Sequence, residues 1–300
     1  MPDLASFLDY LKYQRHYSNY TVLNYEKDIT GYLEYLDRES LSYLDIEYSD
    51  LRLYLIYLKS DLQMKASSID RHLSSLRSFY RYLCANGKIK SNPFILMRGL
   101  KKEKVLPRYF EYYELELLFK VPDLKTPLGQ RNRLILEILY ATGIRVGELV
   151  KIKWSDINEV NRQILITGKG NKERYVPYGD YAAKILELYK KDGYKILNSN
   201  NSSYAFLNQH GEVLTTRGVS YILDEIIKKT SINKNISPHM IRHSFATHLL
   251  NAGCDILSVQ ELLGHESVSS TQIYTHLTVD YLKEIYHKSF PRSKDPHNQN

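Results

Sequence analysis

Cysteine is nearly missing from this sequence. Its 300 residues contain two, Cys84 and Cys254, far apart and each inside a helical pattern. A disulfide framework is therefore excluded, and the pair fits reduced, packed thiols in a cytosolic protein. No apolar run approaches the roughly 20 residues that a membrane span needs, so no membrane partner is expected. The opening MPDLASFLDY reads as an amphipathic helix rather than a signal peptide. No GxxxxGK[ST] is present, which removes a P-loop, and no HExxH is present, which removes the zincin motif. His239, His243, His248, His265 and His276 crowd one region, and His239 and His243 share i, i+4 spacing. No acidic or cysteine ligand is spaced with them, so neither a metal nor another cofactor is expected.

The chain is long enough for two ordinary domains with real cores. Its net charge of +7 favours a polyanionic partner without requiring one. Tyrosine is abundant at 27 residues, so any single tyrosine is by default a packed ring.

Residues 1 to about 86 predict four helices. Leu4, Phe7, Leu8 and Leu11 mark the first; Tyr25, Ile29, Tyr32, Leu33 and Leu36 the second, capped by Ser18; Leu51, Leu55, Leu58 and Leu62 the third. Ser67 and Asp70 suggest a capping box for the fourth, which buries Ile69, Leu73, Leu76, Tyr80 and Leu83. Arg71, Arg77 and Arg81 project from the other side of that helix, among Ser74, Ser75 and Ser78, and are candidates for DNA-backbone contact. An ordinary solvated helix face is the alternative. Residues 91–108, with two prolines and a lysine cluster, read as a linker, placing the domains at 1–90 and 109–290 with a disordered tail over 291–300.

In the second half, helices are expected over Glu111 to Lys120 and Pro127 to Thr142, the latter stopped by Gly143. Arg145 follows at the turn, with Glu148 three residues on as its bidentate partner. QILIT and ERYVP form a hairpin around GKGNK, with Lys169 near the tip. From Ser237, an N-cap, and Pro238, a helix carries Ile241, Phe245 and Leu249 inward, while His239 and Arg242 share a face away from that stripe. Asp255 caps a further helix that Gly264 ends, so His265 sits just beyond it. Tyr274 falls on a helix beginning near Ser269. Tyr281, Leu282, Ile285 and Tyr286 mark a last short helix.

HxxR at His239 and Arg242, LLGH ending at His265 and a tyrosine nine residues later form a constellation that resembles the tyrosine recombinases, the integrase family. SPHMIRHSFATHLL, VQELLGH and STQIYTHL are similar to its Xer branch, and ATGIRVGEL and GKGNKERYVP resemble the family segments of the first arginine and the hairpin lysine. The resemblance covers nearly the whole chain and is most specific over 140–178 and 204–278. It implies a mainly α fold with a small β-sheet: a helical N-terminal core-binding domain and an α-rich catalytic domain, forming a C-shaped clamp on DNA. It makes Arg145, Lys169, His239, Arg242, His265 and Tyr274 the catalytic set. No position of that set departs from the family; Gly147 stands where serine is frequent.

The chemistry suits the set. Transfer of a phosphodiester to Tyr274 builds negative charge on the non-bridging oxygens, and a metal-free enzyme needs fixed cationic donors there. Arg145 and Arg242 would clamp those oxygens, and His265 would add a donor, each worth roughly 3 kcal/mol. His239 would take the phenol proton and Lys169 would protonate the leaving 5′ oxygen. The 3′-phosphotyrosyl bond would store the energy for rejoining without ATP.

The resemblance further implies a double-stranded DNA recombination site, a second recombinase of XerD type in a tetramer, an FtsK-type translocase as activator, a cytoplasmic location and a role in resolving chromosome and plasmid dimers. The terminal helix near Tyr281 to Phe290 would dock on a neighbouring protomer. A minimal mobile-element integrase, a non-catalytic accessory DNA-binding protein and a type IB relaxing enzyme are the competing readings. No extra N-terminal arm-binding domain is read in the sequence, which speaks against a lambda-type phage integrase.

Overall fold

Hydrophobic spacing and capping residues account for most of the helices. The computed structural model describes residues 1–95, 97, 109–168, 172–264, 285–286, 288–290 and 292–293. The chain divides into two units, Met1–Val105 and Leu106–Asn300, each with its own hydrophobic core.

The N-terminal unit contains α1 (Pro2–Asp9), α2 (Asn19–Arg38), α3 (Tyr48–Ile56) and α4 (Ala66–Ala85). Ser18 caps α2, its hydroxyl accepting from the Thr21 N–H at 3.2 Å. α1 and α3 each run on into a π-helical turn, Tyr10–Gln14 and Tyr57–Asp61. That turn ends the third stripe: Leu58 is buried, whereas Leu62, expected inside, is 50% exposed. α4 buries Ile69, Leu73, Leu76, Phe79, Tyr80 and Leu83 against α2. It starts at Ala66 behind an uncapped Lys65, so the expected Ser67–Asp70 capping box does not form.

Tyrosines fill much of this core. Tyr32 meets Tyr54 at 4.8 Å and Phe94 at 5.6 Å between centroids, in edge-on geometry that suits ring quadrupoles. The hydroxyls of Tyr32 and Tyr80 share a hydrogen bond at 3.2 Å, and Tyr80 donates to the Tyr43 carbonyl at 2.8 Å. Phe94 and Met97, assigned by composition to the linker, belong to this core. Two prolines and a basic cluster had masked their apolar function.

The C-terminal unit is organised around α6 (Pro127–Thr142), capped by Thr126 and buried on almost every side from Leu134 onward. α5 (Tyr112–Lys120) precedes it. α8 (Asp180–Leu188), the turn at Tyr189–Gly193, α9 (Tyr194–Leu197) and α11 (Pro238–Asn251) pack on it. Ser237 caps α11 and Asp255 caps α12 (Ile256–Leu263), both with side-chain acceptors as expected. α10 (Thr216–Ile227) is capped by Thr215. A short α7 (Val146–Leu149) leads to an antiparallel sheet of β1 (Ile157–Asn158), β2 (Gln163–Thr167) and β3 (Glu173–Pro177), in that order. Ile164 pairs with Val176 and Ile166 with Arg174, so these four share the inner face.

The described residues after 284 are largely packed. Tyr286 and Phe290 are buried in this unit's own core, Phe290 lying 5.0 Å from Tyr140 and 5.4 Å from Phe245. The helix expected near Tyr281 to Phe290 lies partly outside the described residues. Arg292 and Ser293, expected in a disordered tail, are buried as well. Arg292 pairs with Glu137 at 2.7 Å and with Glu116, and its guanidinium lies 3.8 Å from the Tyr181 ring centre. The partner, Glu137, is 155 residues earlier. A polar tail sequence carries no trace of such a distant contact.

Candidate active site

Two left-handed glycines set the geometry. Gly143 ends α6 at φ 59°, and a Cβ there would fall 2.4 Å from Phe245 Cδ1 and 2.8 Å from Leu263 Cδ2. Only glycine permits both the turn and the approach of α11 and α12. Gly264 ends α12 at φ 63°.

The carbonyls exposed at these helix ends have no intrahelical donors, and arginines supply them. Arg242 is 8% exposed; its Nη1 donates to the Gly143 carbonyl at 2.6 Å and its Nη2 to the Leu263 carbonyl at 2.8 Å. Arg145, the residue preceding α7, donates from Nη2 to the Gly264 carbonyl at 3.2 Å. Both guanidiniums thus sit at the C-terminal end of α12, where the helix dipole favours positive charge. The expectation that Arg242 faces away from the core needs correcting: it shares a face with His239 by sequence, but it is buried between two helix ends.

Glu148 holds the cluster together. Its Oε1 accepts from Arg145 Nη1 at 3.1 Å and its Oε2 from the Arg145 backbone N–H at 2.8 Å. The bidentate partner is not Arg145 but Arg174, whose Nη1 and Nη2 donate to the two oxygens at 3.1 and 2.9 Å. Arg174 was not singled out in the sequence. Strand alternation held the signal, because a charge on the same face as Val176 must find a partner inside.

Two guanidiniums, Arg145 and Arg174, therefore share one carboxylate, and Arg242 feels its charge. Burial alone would raise the Glu148 pKa, but the Arg174 hydrogen bonds, the Arg145 N–H and both positive charges outweigh it and hold the carboxyl below its usual 4.5. Burial, followed by repulsion from Arg145, pulls Arg242 down to about 10; Glu148 opposes this and Arg174 adds to it. Arg242 remains cationic at neutral pH. The surplus positive charge in a partly dry site is suited to an anion with several oxygens.

His239 lies one turn before Arg242 on α11 and is exposed. Lys169, His265 and Tyr274 lie outside the described residues. Gly168 and Gly264, the residues before Lys169 and His265 in the chain, are described. A Cβ on Gly168 would stand 3.6 Å from Arg174 Nη1 and 3.7 Å from Glu148 Oε1, and Gly264 lies against the Arg174 guanidinium. His248 is buried, its Nδ1 2.7 Å from the Tyr140 hydroxyl, which is a packing role.

On α4 the three candidate arginines differ. Arg71 forms a fork with the buried Asp28 and is half-exposed. Arg77 donates to the carbonyls of Phe94 at 3.3 Å and Met97 at 2.9 Å, fastening the segment after α4. Arg81 is exposed. Ser75 faces inward, donating to Asp28 at 3.0 Å, and is not a surface residue.

The model of the phage integrase family matches residues 108–280, and that of the phage integrase N-terminal SAM-like domain matches residues 4–87. The chain belongs to the phage integrase family. It is a tyrosine recombinase, an enzyme that cuts and rejoins DNA. Among its relatives, a protein of Anoxybacillus flavithermus named tyrosine recombinase XerC is 47% identical, covering 97% of this chain and 98% of its own. One of the same name from Lacticaseibacillus casei is 46% identical over 97% of this chain and 99% of its own. In fold, the recombinase resembles XerH site-specific recombinase bound to palindromic difH substrate, with TM-score 0.71, 24% identity and coverage of 95% and 84%. It also resembles a lambda integrase dimer bound to a core site, with TM-score 0.68, 23% identity and coverage of 89% and 94%.

Proposed function

We propose that this recombinase joins DNA strands through Tyr274 and serves to resolve chromosome and plasmid dimers, as its XerC-named relatives suggest. The phenol oxygen of Tyr274 attacks the scissile phosphorus. The Oη–P bond forms, the P–O5′ bond breaks, and a 3′-phosphotyrosyl link remains. Arg145 and Arg242 neutralise the non-bridging oxygens, with His265 as a further donor. His239 receives the phenol proton, whose group has a free pKa near 10, and Lys169 delivers a proton to the 5′ oxygen. Glu148 orients Arg145. The reverse step, by a 5′ hydroxyl of a second strand, rejoins the DNA without ATP.

The observation that carries this reading is the convergence of Arg145 and Arg242 on the carbonyls of Leu263 and Gly264, immediately before His265. The helical N-terminal unit, through at least Met97, serves as the core-binding domain, and the C-terminal unit is catalytic. Within the former, Arg81 and the exposed edge of Arg71 are better suited to DNA phosphates than Arg77. The partner is a recombinase of XerD type in a tetramer, activated by an FtsK-type translocase in the cytoplasm. Among the described residues no helix is long and apolar enough to cross a membrane.

The test is a supercoiled plasmid carrying two chromosomal dimer-resolution sites, incubated with this protein and an XerD-type partner without ATP or divalent metal. Joined or resolved molecules with exchanged strands are expected. Relaxed circles without exchange would favour a type IB relaxing enzyme instead.

A further inference from the structure

Arg174 stands between α7, the β2–β3 hairpin and the end of α12. It occupies the first inward-facing position of β3 after the hairpin turn, opposite Ile166, and its side chain is 19% exposed. Its two terminal nitrogens take both oxygens of Glu148. Its guanidinium lies against Gly264 so closely that a Cβ there would be 2.9 Å from Cζ. Nη1 also faces Gly168, the residue before Lys169. The hairpin and the α12 terminus are therefore both seated on one side chain.

We infer that Arg174 is a positioning residue for strand transfer: by saturating Glu148 it leaves the Arg145 guanidinium available to the scissile phosphate. This deepens the proposed function and rests on its assignment of Arg145 as a phosphate ligand. Each Glu148 oxygen accepts two hydrogen bonds, one from Arg145 and one from Arg174. Arg145 reaches the carboxylate with one side-chain nitrogen and sends the other to Gly264, so neither of its edges is closed by a fork. Removal of Arg174 would leave a buried carboxylate short of two donors. The strongest replacement within reach is a bidentate fork from Arg145 itself. That fork would draw Arg145 away from Gly264, neutralise it and place an under-compensated negative charge beside the DNA phosphate. Arg174 acts on the reaction through Glu148 and Arg145 without touching the reacting atoms.

A merely structural ion pair makes a different prediction, and the charge of the substrate separates the two. Replacing one non-bridging oxygen of the scissile phosphate by methyl removes the charge that Arg145 serves. Single-turnover cleavage at saturating DNA would be measured for wild type, Arg174→Met, Arg174→Lys and Arg145→Ala on the ordinary phosphodiester and on the methylphosphonate, with melting temperatures recorded alongside. On the phosphodiester, Arg174→Met should be slowed roughly tenfold or more, with DNA affinity little changed. On the methylphosphonate its deficit should shrink to within about threefold of wild type, in parallel with Arg145→Ala. Arg174→Lys keeps the charge but not the fork. It should show an intermediate deficit with the same substrate dependence, and it serves as the reading if the methionine variant does not fold.

A wild-type rate for the Arg174 variants on the phosphodiester would overturn the inference. So would equal deficits on both substrates while that of Arg145→Ala shrinks; in both cases the role of Arg145 would stand. If Arg145→Ala itself cleaves the phosphodiester normally, the phosphate-ligand assignment fails, and the role of Arg174 fails with it.

Discussion

Among the described cations of the site, Arg242 is the most deeply buried. Its two donors close the carbonyls of Gly143 and Leu263, at the ends of two different helices. Lysine brings a compact charge with no planar fork, so at least one of those buried carbonyls loses its partner. Arg242→Lys should therefore lower unfolding stability by about 1–3 kcal/mol in urea titration as well as abolish cleavage. Arg145, with a side chain 41% exposed, should tolerate lysine with a stability loss below about 1 kcal/mol while losing activity just as fully. An unchanged midpoint for Arg242→Lys would contradict the two-carbonyl clamp. The HxxR spacing made His239 and Arg242 visible in the sequence. The burial of Arg242 was not visible, because its partners are backbone carbonyls whose position depends on where two other helices stop. Arg174 escaped notice for a related reason: its partner, Glu148, is 26 residues away on another element, and the family resemblance drew attention to the hairpin lysine instead.

At the scale of elements, caps and breakers were the most readable features. Ser18, Ser237, Asp255, Gly143 and Gly264 all act where the sequence placed them. Gly143 gives a direct test. Alanine there carries the cost of a left-handed backbone, roughly 1–2 kcal/mol, and its Cβ overlaps the Phe245 ring and Leu263. Gly143→Ala should destabilise the protein by more than about 2 kcal/mol and slow cleavage, since the α6, α11 and α12 ends must separate. Gly147, with nothing near its Cβ position and no unusual φ, should accept alanine or serine with little change. Equal stability for the two alanine variants, read from thermal melts, would contradict this packing. The misplaced features share a cause. Ser67 and Asp70 have the spacing of a capping box, but α4 already begins at Ala66. Phe94, Met97 and Arg292 look like linker and tail because composition is a local property, whereas their contacts are with distant parts of the chain.

At the scale of the whole molecule, the two-part division was legible, since both halves carry their own periodic apolar positions and both build separate cores. The abundance of tyrosine also finds its explanation here: Tyr32, Tyr54, Tyr80, Tyr140, Tyr178, Tyr189 and Tyr286 are among the largest fully buried side chains. Burial raises the pKa of each of these phenols, so none is suited to ionise and attack. A nucleophilic tyrosine must be sought elsewhere, and Tyr274 is the one proposed. The most direct test uses a DNA recombination site nicked beside the scissile phosphate, so that the released fragment diffuses away and the covalent intermediate is trapped. The account predicts a protein–DNA band that survives denaturing electrophoresis, with or without an XerD-type partner, and disappears in Tyr274→Phe. A band that persists in Tyr274→Phe, or DNA binding without any band even with the partner present, would contradict it.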